Sequence, residues 1–320
     1  MPKIKVGVLR GGPSSEHEIS LLTGENVLKN IPRDKYEAVD ILIGRDGKWP
    51  DFPCLPAGRS EIDVFFNALH GEYGEDGRVQ AVLEKMKVPY TGSGAAASAL
   101  AMNKWAGREI FQAAGLKIPP AVKMEKIVIG STVEPKFDLP WIVKPVNRGS
   151  SVGVFLIKNP GDFLPGLNAA FSHDQSVILE KFIKGREVTA GILENFKGEK
   201  YFSLPAVEIV PPVQKAFFDY QSKYDGTTRE ICPAKFSKKV SRAISEIARR
   251  AHEALGCRDY SRTDMIVAED GIYVLEINTL PGLTGESLFP KAAAAAGCFF
   301  DQLLDHLLTL ALERKELEII

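Results

Sequence analysis

Short apolar runs alternate with helical patterns through the first ninety residues of the chain. The runs at 5–9, 38–43 and 64–69 are bounded by turn residues, which is typical of buried strands. Between them, residues 15–29 and 77–86 repeat their apolar positions with the spacing of a helix. Strands and helices in this order predict an α/β fold that begins with a doubly wound parallel sheet.

Two further helices are predicted in the rest of the chain. One covers 103–114 and is ended by Gly115; the other covers 237–255, with Gly256 as its C-terminal cap. The apolar face of the second helix consists of Val240, Ile244, Ile247, Ala248, Ala251, Ala254 and Leu255. Additional strands are predicted at 140–145, 153–157, 177–180, 187–192, 263–268 and 272–277.

Composition narrows the classes of partner and location. The net charge of -1 gives no reason to expect a nucleic-acid or membrane partner. The most apolar stretches, 91–102 and 292–300, are shorter than the roughly 20 residues of a membrane span. No signal peptide is visible, and the four cysteines are scattered without paired spacing, so we expect a cytoplasmic protein with reduced thiols.

A hairpin signal around residues 269–271 brings three oxygen ligands together. If those three residues form the loop, Ala268 opposes Ile272, and Asp264 opposes Glu276. Asn278 then lies on the same face, two residues further along its strand. Facing carboxylates repel each other unless a cation lies between them, and Mg²⁺ prefers oxygen ligands. The hairpin alone leaves two alternatives open: a solvated face, or pairing with Arg262.

Two other loops could serve phosphate chemistry. A Gly/Ser-rich loop at 144–153 starts with Lys144, so it could present backbone N–H groups and a positive charge to phosphate. A plain hairpin turn is at least as plausible there, and the Walker A ending is missing. The polar, aromatic loop at 218–226 by itself indicates a surface loop, and Lys104 by itself a solvated lysine.

The turn after the first predicted strand could bind a substrate. Ser15 and Glu18 have the spacing of a capping box, which is a structural role. Turns at the carboxyl ends of parallel strands also bind ligands, and Glu16 could hold an ammonium group there. His17 is expected to make a local hydrogen bond.

Seven motifs in this order resemble the D-alanine–D-alanine ligase family of the ATP-grasp superfamily. They are GGPSSEHEIS at 11–20, LHGEYGEDG at 69–77, YTGS at 90–93, KPVNRGSSVG at 144–153, DYQSKY at 219–224, RTD at 262–264, and EINTLPGLT at 276–284 followed by Ser287 and Leu288. The resemblance implies an ATP-grasp fold preceded by the parallel-sheet domain. The units would be an N-terminal domain at 1–92, a central subdomain at 93–185 and a C-terminal subdomain at 186–320.

The same resemblance implies the nucleotide site. The residues expected to contact ATP are Lys104, Lys144, Ser151, Glu180, Lys181, Ile183, Glu187 and, at the γ-phosphate, Lys223. Asp264, Glu276 and Asn278 would hold two Mg²⁺ ions, which Mn²⁺ can replace.

For the substrates, the resemblance implies that an acyl phosphate of one D-alanine is attacked by the amine of a second. Glu16 would bind the first ammonium, linked through Ser150 to Tyr224, and His70 would orient the first substrate. Arg262 and the N–H of Gly282 would stabilise the tetrahedral intermediate, and Ser287 with the Leu288 amide would hold the second carboxylate. Tyr224 favours an amine over the hydroxyl of D-lactate as the nucleophile.

Family habit further implies a homodimer. Another ATP-grasp carboxylate ligase, such as a D-alanine–D-lactate ligase, is the nearest alternative. A catalytically inactive nucleotide-binding module is the alternative from another class, but it should lack a metal ligand or a phosphate lysine.

Overall fold

Three β-sheets organise the part of the chain that the computed structural model describes, which comprises residues 2–50, 61–126, 135–149, 152–212 and 228–317. The first sheet is parallel, with the strand order β2-β1-β3. Its strands and the helices between and after them are β1 (Ile4–Gly11), α1 (His17–Asn30), β2 (Tyr36–Ile43), β3 (Val64–Asn67) and α2 (Arg78–Met86).

The first sheet is covered on both faces because its central strand is apolar on both sides. Val6 and Val8 share a core cluster with Val27 of α1. Leu9, on the other face, shares a second cluster with Leu83 of α2. The predicted doubly wound arrangement is therefore confirmed, with each helix on its own face of the sheet.

The capping box expected at Ser15 and Glu18 is wrong. Helix α1 begins at His17, and Glu16 is its N-cap without a side-chain cap bond. Ser14 makes the local bond in its place, accepting from the Glu16 N–H at 2.9 Å. Glu18 instead pairs with Arg45.

The second sheet is antiparallel, with the order β4-β7-β5-β6. Its elements, with the two helices that precede it, are α3 (Ala95–Met102), α4 (Lys104–Ala113), β4 (Ala121–Glu125), β5 (Trp141–Pro145), β6 (Phe155–Ile157), α5 (Phe163–Phe171) and β7 (Ser176–Lys181). The strands predicted at 140–145 and 153–157 are present as β5 and β6, and they pair antiparallel. Asn103 starts α4 by accepting from the Ala106 N–H at 2.9 Å.

The third sheet has six strands, and five of them follow the order β11-β10-β8-β12-β13, while β9 pairs with β8. The elements of this part are β8 (Arg186–Phe196), β9 (Glu199–Ser203), β10 (Val207–Val210), β11 (Arg229–Ile231), α6 (Lys238–Leu255), β12 (Tyr260–Ala268), β13 (Gly271–Asn278), α7 (Leu288–Ala295) and α8 (Phe300–Leu317). None of the helices within the described ranges is long and apolar enough to span a membrane.

Helix α6 follows its predicted pattern with one exchange. Ser237 caps its start and Gly256 its end, and Ile244, Ala248, Ala251 and Leu255 are buried as expected. Ala254 is exposed instead, whereas His252 is fully buried. His252 is accommodated because Ser261 lies 2.7 Å from its Nδ1 and Glu194 lies 3.2 Å from its Nε2.

The hairpin of β12 and β13 places Asp264 opposite Glu276 as predicted, but the predicted pairing of Ala268 with Ile272 is wrong. Ala268 opposes Gly271, so the loop has two residues, and the three-residue loop expected at 269–271 is wrong. A register shift between Asp264 and Met265 then compensates, because Leu275 is an extra residue in β13. Asp264 therefore opposes Glu276 after all.

One hydrophobic cluster joins the beginning and the end of the described chain. Val6, Val8 and Phe66 of the first sheet belong to the same cluster as Leu303 and Leu307 of α8. A polar contact accompanies it, since the Tyr36 hydroxyl donates to Asp305 at 2.8 Å. Helix α8 therefore packs as a cover on the parallel sheet.

Candidate active site

A cavity of about 310 Å³ lies between the three sheets. Each sheet region supplies part of its wall: Glu16 from the N-terminal turn, Lys144 from β5 and Asp264 from β12. Its size is in the range of small-molecule sites in proteins. All the site residues expected from the sequence within the described ranges line this cavity, whereas Ser150, Ser151, Lys223 and Tyr224 lie outside those ranges.

Asp264 and Glu276 face each other across the hairpin, and each forms an ion pair with a cationic side chain. Arg262 donates to Asp264 through Nε and Nη2, both at 3.0 Å. Lys104 Nζ lies 2.8 Å from Glu276 Oε2. Of the two alternatives that the hairpin leaves open, the pairing of Asp264 with Arg262 is present.

Neighbouring groups donate hydrogen bonds to two of the three expected metal ligands, Asp264 and Asn278. The Thr189 hydroxyl donates to Asp264 Oδ1 at 2.7 Å, and the Leu280 N–H donates to Asn278 Oδ1 at 2.9 Å. No group of three or more His, Cys, Asp or Glu side chains suited to a metal occurs among the described residues, so the set is two carboxylates and an amide. Paired oxygen donors that already attract cations fit a hard divalent ion.

Arg262 is held in its charged form beside this pair. Burial acts to lower the pKa of Arg262, but the charge of Asp264 and its hydrogen bonds raise that pKa above its ordinary value. Because Arg262 also lines the cavity, a fixed positive charge is available to a reacting anion there.

A buried charge cluster forms the wall next to β5 and β7. Lys144 Nζ donates to Glu180 Oε1 at 2.7 Å, and Arg108 Nη1 donates to Glu180 Oε2 at 3.2 Å. Burial lowers the pKa of Arg108, and the charge of Glu180 opposes that shift. The sequence reading missed Arg108, although it follows Lys104 by four residues and therefore shares its helix face.

The other residues expected to contact ATP within the described ranges line the same cavity. They are Lys181, Ile183 and Glu187. Lys104, which by itself indicated a solvated lysine, is only 11% exposed at its side chain. The wall thus presents Lys104 and Lys144 to the interior of one cavity.

The N-terminal turn approaches this wall closely. A Cβ at Gly71 would come within 2.7 Å of Glu16 Oε2, and one at Gly149 within 3.3 Å, so glycines allow the contact. Arg148, beside Gly149, pairs with Glu72 and joins the loop at 144–153 to the segment at 69–77 that follows β3. Glu16 therefore lies beside the loop that the sequence associates with phosphate.

His70 and His17 have different environments. His70 lines the cavity, with Thr23 Oγ1 2.8 Å from its Nε2 and Glu75 Oε1 3.4 Å from its Nδ1. Sequence reasoning missed both of these partners. His17 has the expected local role, since its Nδ1 lies 2.6 Å from the Gly12 carbonyl.

Ser287 and Leu288, at the start of α7, also line the cavity. Ser287 is the N-cap of α7 and makes no side-chain cap bond, so the first N–H groups, including that of Leu288, have no partner in their own helix. Ser287 Oγ accepts from the Thr284 N–H at 3.0 Å. A Cβ at Gly282 would come within 2.9 Å of this hydroxyl, so glycine brings the backbone next to Ser287. Helix N-termini bind anions such as carboxylates.

Known proteins are similar to this chain over nearly its full length. The family model for the D-ala D-ala ligase C-terminus matches residues 110–309, and the model for the N-terminus matches 5–57 and 55–93. The D-alanine–D-alanine ligase of Syntrophobacter fumaroxidans is 41% identical over 314 residues, which cover 97% of this chain and 98% of that protein. The one from Geobacter sulfurreducens is 44% identical over 313 residues, covering 96% and 94%.

A solved structure supports the same relationship. The D-alanine–D-alanine ligase of Bacillus anthracis complexed with ATP has a TM-score of 0.82 and 32% sequence identity, covering 99% of this chain and 100% of its own. The expected ATP-grasp fold after a parallel-sheet domain is therefore confirmed. This chain belongs to the D-alanine–D-alanine ligase family.

Proposed function

We propose that this protein is a ligase that joins two D-alanines into D-alanyl-D-alanine, a peptidoglycan precursor, and converts ATP to ADP and phosphate. One observation carries the proposal: Glu16, Lys144 and the facing Asp264–Glu276 pair line a single cavity. Glu16 can bind an ammonium group and Lys144 can bind phosphate. The Asp264–Glu276 pair can bind a divalent cation.

The first step has to bring two anions together. The carboxylate of the first D-alanine attacks the γ-phosphate, which forms an acyl phosphate and releases ADP. Lys104 and Lys144 hold the phosphates and offset the repulsion, while Glu16 binds the ammonium and His70 orients the substrate. Ser151, Lys181, Ile183 and Glu187 belong to our proposed nucleotide site, as does Lys223 at the γ-phosphate.

In the second step, the amine of the second D-alanine attacks the acyl carbon and phosphate leaves. Ser287 and the Leu288 amide hold the carboxylate of this substrate at the start of α7. Arg262 and the Gly282 N–H stabilise the tetrahedral intermediate, for which the fixed charge of Arg262 is suited. Ser150 and Tyr224 complete the set around Glu16 in this proposal.

The metal site in this proposal consists of Asp264, Glu276 and Asn278. Two Mg²⁺ ions, or Mn²⁺ in their place, would neutralise charge on the transferred phosphoryl group. This assignment is supported by the ion pairs of Glu276 with Lys104 and of Asp264 with Arg262, since both carboxylates already bind a cationic group.

We further propose a division into structural units, an oligomeric state and a cellular location. We take 1–92, 93–185 and 186–320 as the structural units, and we expect a homodimer. We also place the protein in the cytoplasm, where ATP is available to it.

Phosphate release from ATP tests the proposal directly. The purified protein, with ATP and Mg²⁺, should release phosphate when D-alanine is added, and mass spectrometry should detect the dipeptide. D-lactate added together with D-alanine should yield no ester, whereas a depsipeptide product would indicate the D-alanine–D-lactate alternative. Nucleotide binding without turnover on any D-amino or D-hydroxy acid would contradict the proposal and favour an inactive module.

A further inference from the structure

Lys104 connects the phosphate loop with the expected metal site. Its backbone N–H donates to the Val146 carbonyl at 3.0 Å, which fixes the start of α4 against that loop. Its side chain extends to β13, where Nζ lies 2.8 Å from Glu276 Oε2. The ammonium group therefore lies against a carboxylate that is expected to bind a divalent cation.

The second phosphate lysine is placed differently. Lys144 Nζ donates to Glu180 at 2.7 Å, and Glu180 is no part of the expected metal set. Both lysines are largely buried, at 11% and 8% side-chain exposure, and both line the same cavity. The two therefore differ in which carboxylate they neutralise rather than in their charge or burial.

The charges around the hairpin are balanced in this arrangement. Arg262 pairs with Asp264 and Lys104 with Glu276, so a divalent ion that approaches Glu276 has to displace an ammonium group. A triphosphate changes this balance because it offers Lys104 another anion. Once Lys104 has moved to the phosphates, the repulsion between its charge and the metal ion falls.

From this arrangement we propose that Lys104 substitutes for the divalent cation on Glu276 until nucleotide binds, so that Lys104 excludes free metal and admits metal with nucleotide. The inference rests on the proposed ATP site and assigns Lys104 a role beyond phosphate binding. Coupling between two ligands is reciprocal, so Lys104 should also make nucleotide binding depend on the metal.

Mn²⁺ binding to nucleotide-free protein tests the inference, with the EPR signal of free Mn²⁺ as the readout. Lys104→Met should bind Mn²⁺ about tenfold more tightly than wild type, because the competing ammonium is removed. Lys144→Met is the matched control: it removes an equally buried lysine of the same cavity, and its Mn²⁺ affinity should stay close to that of wild type. Lys104→Arg keeps the positive charge, so its Mn²⁺ affinity should stay as low as that of wild type.

A second measurement uses a non-hydrolysable ATP analogue. The analogue should tighten Mn²⁺ binding strongly in wild type and much less in Lys104→Met, since part of the coupling is lost. Thermal unfolding establishes that each variant is folded before its Mn²⁺ affinity is compared. If Lys104→Met is not folded, Lys104→Gln takes its place.

Two outcomes would overturn the inference. One is unchanged Mn²⁺ affinity in folded Lys104→Met or Lys104→Gln; the other is an equal gain in Lys144→Met, which would indicate general electrostatics. D-alanine-dependent phosphate release by wild type is measured separately. Its absence would remove the ligase assignment without altering the comparison of metal affinities.

Discussion

Replacing Arg314 with methionine should destabilise the protein strongly, because Arg314 neutralises a buried carboxylate. Its guanidinium pairs with Asp259, whose side chain is 1% exposed, and also donates to the Tyr90 carbonyl at 2.8 Å. The Gly92 N–H, which donates to Asp259 at 2.6 Å, would remain. Removing one partner of a buried ion pair typically costs about 3–5 kcal/mol.

The sign of the pH dependence sharpens this prediction. Burial raises the pKa of Asp259 above its ordinary value, and Arg314 opposes that rise. Without Arg314 the pKa in the folded state should rise further, so folding then favours the protonated acid. A raised folded-state pKa gives stability that is present at low pH and lost as pH rises. The deficit of Arg314→Met should therefore shrink between pH 8 and pH 5.

Equilibrium urea unfolding followed by circular dichroism measures both effects. Arg249→Met is the matched control, since Arg249 also lies on a helix and pairs with two carboxylates, those of Glu246 and Glu253, at the protein surface. Its loss should cost less than about 1 kcal/mol. A similar loss of stability in the two variants, or an Arg314→Met deficit that grows at low pH, would refute this role of Arg314.

Three further predictions concern the site and the core. Glu276→Ala should reduce D-alanine-dependent phosphate release by about a thousandfold or more, because the expected metal loses a charged ligand; near-normal turnover would refute the metal assignment. Ser287→Ala should raise KM for the second D-alanine about tenfold through a lost hydrogen bond to a charged group, and an equal rise in KM for ATP would contradict this role. Burial raises the pKa of the Cys257 thiol from 9.0 to about 12, so its contribution to stability should be lost as pH rises through that interval. Between pH 8 and about pH 10.5, wild type should therefore lose about 2 kcal/mol more than Cys257→Ala in urea unfolding, and equal losses would count against a buried neutral thiol.

The facing carboxylates Asp264 and Glu276 show which features of the site can be predicted from the sequence. The period of two along each strand predicts that Asp264 and Glu276 share a face, and this is the arrangement observed. The predicted loop is one residue too long, and a bulge at Leu275 in β13 restores the register. A bulge depends on packing against the rest of the site, where Leu275 lines the cavity, and a local hairpin pattern does not contain that information.

Buried polar residues were harder to predict than apolar ones. The helical pattern assigns Ala254 and not His252 to the buried face, because the burial of a histidine depends on partners elsewhere in the chain. Glu194 is 58 residues away and Ser261 comes from the next strand. Arg108 was missed for the same reason, since its carboxylate partner Glu180 is 72 residues distant.

The core cluster shared by the first sheet and α8 has a consequence for how the protein is made. Val6, Val8 and Phe66 leave the ribosome long before Leu303 and Leu307, which cover them in the finished protein. At about 5–20 residues per second, the synthesis of Leu303 and Leu307 follows that of Phe66 by roughly 12–48 s. During this interval the nascent chain exposes a hydrophobic surface. The yield of folded protein in the cell should therefore depend on chaperones that bind such surfaces. A chain that stops before α8 would leave the same face uncovered permanently.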